Sequence, residues 1–241
     1  HKNMKNYFES KLLLFKDLLK KRSTVITDTD IKQFKEIKKI QKKRKLKMLN
    51  IGSKSNTFDI LDHKIFENFQ YLKIKYKNKI YKLRINLYGS IQIKNLFMAI
   101  LASKVCGLKV ENILNKIDRI ESVEGRLQLK RILTNNSKIF LDYAHTPEAL
   151  EKAILSLREH FNKKISVIFG CGGERDKSKR KLMGKIASRY CDKIYITDDN
   201  PRNENPKKIR NQIKTAINRK KLIEISSRKN AINTCLLYTS D

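Results

Sequence analysis

Three short polar clusters in the second half of the chain contain residue types that bind anions, nucleotides and metal ions. They are DYAH (142–145), GCGGERD (170–176) and TDDNPR (197–202). Each lies at the end of a stretch that predicts a β-strand: 138–144, 165–170 and 193–198. Open α/β sheets bind ligands at the carboxyl ends of their strands, so the clusters predict one shared site. The alternative is that each cluster is an ordinary turn.

The central cluster is rich in glycine but matches neither common phosphate-binding pattern. GCGGERDKSKR is not GxGxxG, and it is not GxxxxGK[ST]. Its glycines allow close approach of the backbone. Five basic residues follow them: Arg175, Lys177, Lys179, Arg180 and Lys181. This combination favours an anionic ligand near a helix N-terminus, although the pattern alone is weakly specific.

Predicted helices separate these strands and continue beyond them. They cover residues 147–161, 179–190 and 206–219, and a last strand is predicted at 221–226. The stretch ISVIFG lacks polar alternation, which is typical of a strand covered on both faces. Regular alternation of strand and helix indicates a parallel sheet with crossover helices. We expect an α/β fold.

The first half has a different pattern. Residues 4–22 predict a helix with a basic last turn, and 93–106 a buried helix with Gly107 at its end. Two alternating stretches, 71–76 and 80–87, predict a β-hairpin. The change of pattern places a domain boundary between residues 123 and 124.

The formal net charge of +31 is the most extreme feature of the composition. One interpretation is a basic nucleic-acid-binding protein. The other is that lysine serves as the general surface residue. Basic residues occur along nearly the whole chain, and the one dense block, 35–47, has no interleaved aromatic residues. The second interpretation is favoured, and no specific nucleic-acid partner is expected.

The cysteine pattern and the hydropathy of the chain indicate the cellular compartment in which the protein acts. The four cysteines, at 106, 171, 191 and 235, form no CxxC pair. A disulfide framework is therefore not expected, and a reducing cytoplasm fits. No run reaches the roughly 20 apolar residues of a membrane span, and the N-terminus has no secretory pattern. We expect a cytoplasmic protein without membrane contact.

Taken together, the clusters resemble a known family. DYAHTPEAL (142–150), FGCGGERDKSKR (169–180) and TDDNPR (197–202), at these spacings, are similar to segments of the C-terminal domain of Mur ligases. Upstream segments add to the resemblance. NYFESKLLLF (6–15) resembles the family's carbamylated-lysine segment, TDTD (27–30) its N-x-D-D, GSIQIKN (89–95) its G-x-F-N-x-x-N, and EGRLQ (124–128) its G-R-M-E.

Several positions depart from the family pattern. Gln92 stands in place of asparagine, Glu174 in place of aspartate and Gln128 in place of glutamate. No GxxGKT phosphate loop occurs in these 241 residues, although the family holds ATP with one. We therefore expect an internal piece of a longer protein.

The resemblance implies both a fold and a reaction. Residues 1–123 would be the C-terminal part of the central ATPase domain, and 124–241 a truncated, doubly wound Rossmann-like C-terminal domain. The implied enzyme is an ATP- and Mg²⁺-dependent acid–amino-acid ligase of peptidoglycan synthesis, and we expect it to be a monomer. It would add meso-diaminopimelate to UDP-N-acetylmuramoyl-L-alanyl-D-glutamate through an acyl phosphate.

Residue roles follow only from matched positions. Lys11 matches the catalytic lysine whose carbamate binds Mg²⁺. Four residues match ATP contacts: Asn95, Arg126, Asp142 and His145. Five match the meso-diaminopimelate site: Arg175, Asp199, Asn200, Pro201 and Arg202. The DNPR form resembles ligases that select this amino acid, and the alternative within the fold is a Mur or folate-type ligase of other specificity.

Overall fold

The chain divides into two compact units, His1–Ile120 and Glu121–Asp241. The computed structural model describes residues 4–55 and 57–238. The division falls close to the boundary between residues 123 and 124 that the sequence predicts. In the part of the chain described, no helix has the length and apolar character needed to cross a membrane.

The first unit begins with a helix that is shorter than predicted. Helix α1 spans Met4–Leu13 and continues as a π-helical turn, Leu14–Leu18, after which the chain is extended at Leu19. The prediction of one continuous helix to residue 22 is therefore wrong at its C-terminal end. The Arg44 guanidinium donates to the carbonyls of Lys16 and Leu19, which satisfies these helix-end acceptors without a further turn.

Two small sheets and three further helices complete this unit. The elements are β1 (Thr24–Asp28), α2 (Phe34–Arg44), β2 (Lys47–Ile51), β3 (Phe58–Ile65), β4 (Gln70–Tyr76), β5 (Lys79–Ile85), α3 (Ser90–Val105) and α4 (Val110–Leu114). Strands β1 and β2 are parallel, whereas β3, β4 and β5 form an antiparallel sheet. The predicted hairpin is confirmed, because Tyr76 pairs with Lys79 across a two-residue turn. Strand β3 was not predicted, since most of its residues are exposed and show no clear alternation.

The core of this unit lies between α3 and the antiparallel sheet. Buried residues of α3, among them Phe97 and Ile100, pack in one cluster with Leu72 and Ile74 of β4. The predicted buried helix is confirmed and begins three residues earlier, at Ser90. Gly107 has φ +94° and its N–H donates to the Lys104 carbonyl, as a glycine ending a helix does.

The second unit alternates strands and helices. Its elements are β6 (Gln128–Ile132), β7 (Lys138–Leu141), α5 (Pro147–His160), β8 (Ser166–Phe169), α6 (Ser178–Tyr190), β9 (Lys193–Ile196), α7 (Pro206–Lys214), β10 (Leu222–Glu224) and α8 (Arg228–Leu237). Strands β8, β9 and β10 form a parallel sheet with β9 in the centre. Thr146 caps α5 by accepting from the Ala149 N–H, with Pro147 in the first turn as predicted.

Helices cover both faces of the parallel sheet. Ile194 and Ile196 of β9 join the apolar core formed with α5, α6 and α7. Tyr195, between them, points to the other face, beside Cys235 of α8. Residues on both faces of β9 are thus fully buried, which explains its continuous apolar sequence. The predicted α/β class with a doubly wound second domain is confirmed.

One strand was assigned to the wrong sheet. The sequence predicted that the 138–144 stretch continues the parallel sheet. Instead β7 pairs antiparallel with β6. The two strands are joined by a tight turn in which the Leu133 N–H donates to the Ser137 carbonyl and Asn136 has φ +63°. Local turn residues therefore favour a hairpin here.

Candidate functional site

The three polar loops of the second unit lie together. The loop after β8 contacts the loop after β9, where the Gly173 N–H donates to the Asn200 carbonyl over 2.8 Å. The loop after β7 is reached from α6, where Lys179 Nζ donates to the His145 carbonyl over 2.8 Å. The shared location that the sequence predicts is confirmed for the loops after β8 and β9. The loop after β7 follows a strand of a different sheet and is linked to them through Lys179 of α6. Lys179 was noted only as one of five basic residues.

Glycine is required where the loops after β8 and β9 touch. A β-carbon on Gly173 would lie far inside the van der Waals distance of the Pro201 carbonyl oxygen. One on Gly170 would collide with the Thr197 carbonyl oxygen in the same way. The sequence predicted that these glycines let a ligand approach the backbone. In the structure they let the neighbouring loop approach, so their first role is to position residues 199–202.

The DNPR segment is held by its own side chains and by the glycine loop. The Asn200 N–H donates to Asp199 Oδ1 over 2.8 Å, and the Arg202 N–H donates to Asn200 Oδ1 over 3.2 Å. Arg202 has φ +49°, which is unfavourable for a residue with a side chain. Its Nη1 donates to the Gly173 carbonyl over 2.7 Å. These contacts fix the direction of the Arg202 guanidinium.

Two arginine side chains flank Gly172. A β-carbon built there would lie 3.0 Å from Arg202 Nη1 and 3.9 Å from Arg175 Cγ. Both side chains are exposed. Two exposed arginine side chains that pass beside the same glycine suit a ligand with more than one carboxylate.

Asp142 joins the third loop to the segment that precedes β6. Its Oδ2 accepts from the Leu127 N–H and its Oδ1 from the Ala144 N–H, each over 2.8 Å. The Tyr143 N–H donates to the Gly125 carbonyl over 2.9 Å. The structure thus brings the predicted ATP-binding residues Arg126, Asp142 and His145 into one neighbourhood. In this structure the Asp142 carboxylate has a backbone-positioning role that the sequence did not indicate.

His145 and Arg126 are exposed residues of the same neighbourhood. The His145 Nδ1 lies 3.0 Å from the Tyr143 carbonyl, which favours the tautomer with the proton on Nδ1. Nε2 is then the nitrogen left to accept from a ligand. The Arg126 N–H donates to the Val123 carbonyl, which places this arginine in a turn at the start of the second unit.

Comparison with known families agrees with this arrangement. Residues 125–241 match the family model described as the Mur ligase glutamate ligase domain, and residues 1–103 match that of the Mur ligase middle domain. The chain belongs to the Mur ligase family.

Individual relatives give the same assignment. UDP-N-acetylmuramoyl-L-alanyl-D-glutamate–2,6-diaminopimelate ligase of Rickettsia bellii is 39% identical over 234 residues, which cover 96% of this chain and 48% of the relative. A solved structure of a ligase with that name is 26% identical, with a TM-score of 0.58, and the match covers 97% of this chain and 48% of the other. The chain therefore spans about half the length of the relatives it matches.

The fold is shared more widely. Folylpolyglutamate synthase of Mycobacterium tuberculosis, solved with ADP and AMPPCP, is 15% identical with a TM-score of 0.73. That match covers 90% of this chain and 49% of the synthase. At this identity the similarity shows the Mur ligase fold alone.

Two predicted site residues of this Mur ligase chain lie in its first unit. Asn95 is exposed on α3, and its Nδ2 donates to Gln92 Oε1 over 3.2 Å. Lys11 is exposed on α1, with Nζ 5.4 Å from the centre of the Tyr7 ring. The Lys11 amine is accessible to carbon dioxide, as formation of a carbamate would require.

The described residues do not complete a magnesium site. They contain no group of three or more His, Cys, Asp or Glu side chains able to hold a metal ion. A carbamate on Lys11 would supply at most two oxygen donors. Magnesium prefers six oxygen ligands, so the others would have to come from phosphate, water or further protein groups.

The first unit also contains a polar network that the sequence singled out only through the TDTD segment. Lys94 Nζ donates to Asp28 Oδ2 over 2.8 Å and to Asp30 Oδ2 over 3.0 Å. Hydrogen bonds from Ser53 to Asp30, followed by that from Lys94, hold the pKa of Asp30 far below its usual range. The network borders a cavity of about 260 Å³. Its ionic contacts link the end of β1 to α3.

Proposed function

We propose that this chain is part of the ATP-dependent ligase that adds meso-diaminopimelate to UDP-N-acetylmuramoyl-L-alanyl-D-glutamate in peptidoglycan synthesis. The observation that carries the proposal is the pairing of the glycine loop with the DNPR loop, which places Arg175 and Arg202 beside Gly172. The names of the curated relatives support it. Residues 1–123 would belong to the middle domain and 124–241 to the C-terminal domain.

The proposed reaction has two steps. The free carboxylate of the UDP-linked dipeptide attacks the γ-phosphorus of ATP, which gives an acyl phosphate and ADP. The amine of the amino acid then attacks the acyl carbon, expels phosphate and loses a proton as the amide forms. Phosphoryl transfer requires alignment and neutralisation of charge more than covalent participation by the protein. Arg126, Asp142, His145 and, from the first unit, Asn95 would bind the nucleotide.

Selection of meso-diaminopimelate is assigned to the DNPR loop. This amino acid carries a second ammonium and carboxylate pair at its far end, and L-lysine lacks that carboxylate. Because Arg202 Nη1 donates to Gly173, the Nε–Nη2 edge of its guanidinium remains available for a bidentate carboxylate contact. Asp199 and Asn200 would bind the neighbouring polar groups, with Pro201 shaping the turn and Arg175 adding a second cation.

The role of Lys11 is proposed on its matched position and its exposure. A carbamate would convert this cation into an anionic oxygen ligand suited to Mg²⁺, which neutralises phosphate charge when it is bound. Action in the cytoplasm, a monomeric state and the lack of a specific nucleic-acid partner stay predictions.

The function is tested by replacing Arg202 in a full-length ligase that contains this chain. Arg202→Ala should lower kcat/KM for meso-diaminopimelate roughly 30- to 1000-fold, because it removes a charge-assisted contact worth on the order of 2–4 kcal/mol. Discrimination against L-lysine should shrink, since no unpaired cation then disfavours it. Arg202→Lys should not restore the wild-type value, because an ammonium cannot form the paired contact. Phosphate release with each amino acid measures all three effects.

The matched control is Arg189→Ala, which removes an exposed arginine near the end of α6, beside Tyr190. It should leave both kinetic constants near wild type. If Arg202→Ala weakened ATP and meso-diaminopimelate equally, or left the preference over lysine intact, the assigned role of Arg202 would be wrong. Failure of the wild-type enzyme to use meso-diaminopimelate would reject the proposed function itself.

A further inference from the structure

Arg180 is a fully buried cation that none of the assigned roles uses. It lies on α6 and exposes none of its side chain to solvent. Its Nη1 donates to Glu204 Oε2 over 2.9 Å and its Nη2 to Glu204 Oε1 over 3.0 Å, which makes a bidentate ion pair. Nη1 also donates to Gln212 Oε1 over 2.7 Å, and Nη2 to the Gly172 carbonyl over 3.2 Å.

The pair joins the two loops of the proposed amino-acid site. Glu204 follows the DNPR segment, and its Oε1 also accepts from the Glu174 N–H of the glycine loop over 2.6 Å. Arg180 in turn holds the Gly172 carbonyl of that same loop. Nearby, Asn203 Nδ2 donates to Glu174 Oε1 over 2.7 Å. Each partner of the ion pair therefore contacts the glycine loop, and Glu204 belongs to the loop opposite.

The backbone near these contacts adopts an unfavourable conformation. Glu174 has φ +52° and Arg202 has φ +49°, both in the left-handed region that residues with side chains rarely occupy. Such conformations persist only where surrounding contacts enforce them. The contacts at this point are those of Glu204 with Glu174, and of Gly173 with Arg202 and Asn200.

Stability alone is a weak reason for this arrangement. Burial of an ion pair costs desolvation that its attraction often only offsets. In addition, Arg180 Nε is buried and has no hydrogen-bond partner in the described part of the chain. A buried donor without a partner is destabilising. An arrangement that accepts this cost while joining two ligand-facing loops points to a role in positioning.

We infer that the Arg180–Glu204 ion pair is a positioning device for amino-acid selection, which sets the separation of Arg175 and Arg202 without either member touching the amino acid. This inference rests on the proposed function. It assigns specificity to two residues that lie outside the DNPR segment. Misplacement of binding groups by about 1 Å is enough to lower catalytic efficiency by about 100-fold.

The test uses Glu204→Gln and Arg180→Lys in a full-length ligase that contains this chain. Glu204→Gln keeps the shape of the side chain but turns an N–H donor toward the donors of Arg180 and Glu174. Each variant should raise KM for meso-diaminopimelate about 10- to 100-fold. The KM for ATP and the kcat at saturating amino acid should stay within about twofold of wild type, because nucleotide and chemistry use other groups.

Additivity gives a second readout. Both substitutions break the same pair, so the double variant should be little worse than either single variant. The control is Arg158→Lys, at the exposed Arg158–Asp192 ion pair of 3.0 Å, where Asp192 precedes β9 at the far end of that strand. This control should leave both KM values unchanged.

The outcomes separate the two proposals. If wild-type enzyme does not ligate meso-diaminopimelate, the proposed function fails. If wild type does so but Glu204→Gln leaves KM for the amino acid unchanged, the positioning role fails. A lower melting temperature together with a lower kcat and a higher KM for both substrates would mean that the pair is purely structural. That result would also overturn the positioning role. Should Arg180→Lys not fold, Glu204→Gln alone decides, since its side chain is 20% exposed.

Discussion

The carboxylate of Glu204 is ionised over an unusually wide pH range. Hydrogen bonds from the Arg180 side chain and then from the Glu174 N–H lower the pKa of Glu204 from its ordinary 4.5 to about 2. The folded chain therefore binds this proton less tightly than the unfolded chain does. Ionised Glu204 stabilises the fold above pH 4.5, and this contribution is lost as the pH falls toward 2.

We therefore expect Glu204→Gln to change how stability depends on acid. The difference in free energy of unfolding between wild type and variant should be largest above about pH 5 and should shrink between about pH 4.5 and 2. Denaturant titrations of the chain across this range measure it. Glu121→Gln, at an exposed residue, is the control and should show no such trend. A difference that is independent of pH would exclude Glu204 as the titrating group.

Sequence patterns predicted the exposed site residues better than the buried ones. Asp142, Arg175 and Arg202 stand in recognisable segments. The structure places Arg175 and Arg202 beside Gly172 and Asp142 in the loop after β7, and the roles of all three stay predictions. Arg180 was predicted only as one of five basic residues near an anionic ligand, whereas the structure buries it against Glu204, for which the sequence predicted no role. One of 55 basic residues cannot be identified as buried from its neighbours, because its burial depends on a carboxylate 24 positions later in the chain.

At the scale of elements, the sequence predicted where helices begin from local residues, but it did not predict which strands pair over longer distances. The start of α5 was predicted at Pro147, which acts within the first turn of the helix. The partner of β7 did not follow, because strand pairing depends on contacts outside the strand. The tight turn at Asn136 favours the antiparallel pairing of β7 with β6.

The close approach of the glycine loop to the DNPR loop predicts that alanine substitutions at two neighbouring glycines differ in their effect on stability. In Gly173→Ala the new methyl group would overlap the Pro201 carbonyl, so the loops must separate, and we expect a loss of about 1–3 kcal/mol in unfolding free energy. In Gly172→Ala the nearest atom is Arg202 Nη1 at 3.0 Å, the end of a flexible side chain. That variant should keep near-wild-type stability.

Denaturant unfolding of both variants of the chain measures the difference. Gly172→Ala is the matched control, because it adds the same methyl group one residue away. Equal stability of the two variants would show that the close approach of the loops is not retained in solution.

Across the whole molecule, acidic residues are far fewer than basic ones, and several of them form defined ion pairs. Basic residues outnumber acidic ones by 55 to 24 and cover both units, whereas several acidic residues occupy defined ionic contacts. Asp28 and Asp30 bind Lys94, Glu204 binds Arg180, and Arg210 donates to both Asp198 and Glu224. The acidic groups thus mark structural positions. Apart from the dense block at 35–47, much of which lies on α2, the basic residues are spread over both units. Their role as general surface charge stays a prediction.

The last prediction concerns the 241 residues as a whole. They contain the loops proposed to bind the amino acid but no GxxxxGK[ST] or GxxGKT segment. Transfer of the γ-phosphoryl group requires several groups that neutralise its charge in line with the attacking oxygen, and in this family a phosphate loop supplies them. Purified chain incubated with ATP, the UDP-linked dipeptide and meso-diaminopimelate should therefore release no phosphate above background. Binding of meso-diaminopimelate, measured by calorimetry, should be retained and should weaken in Arg202→Ala, since the contacts of that loop lie within the second unit. Turnover by the isolated chain would show that the residues present suffice for phosphoryl transfer without a phosphate loop.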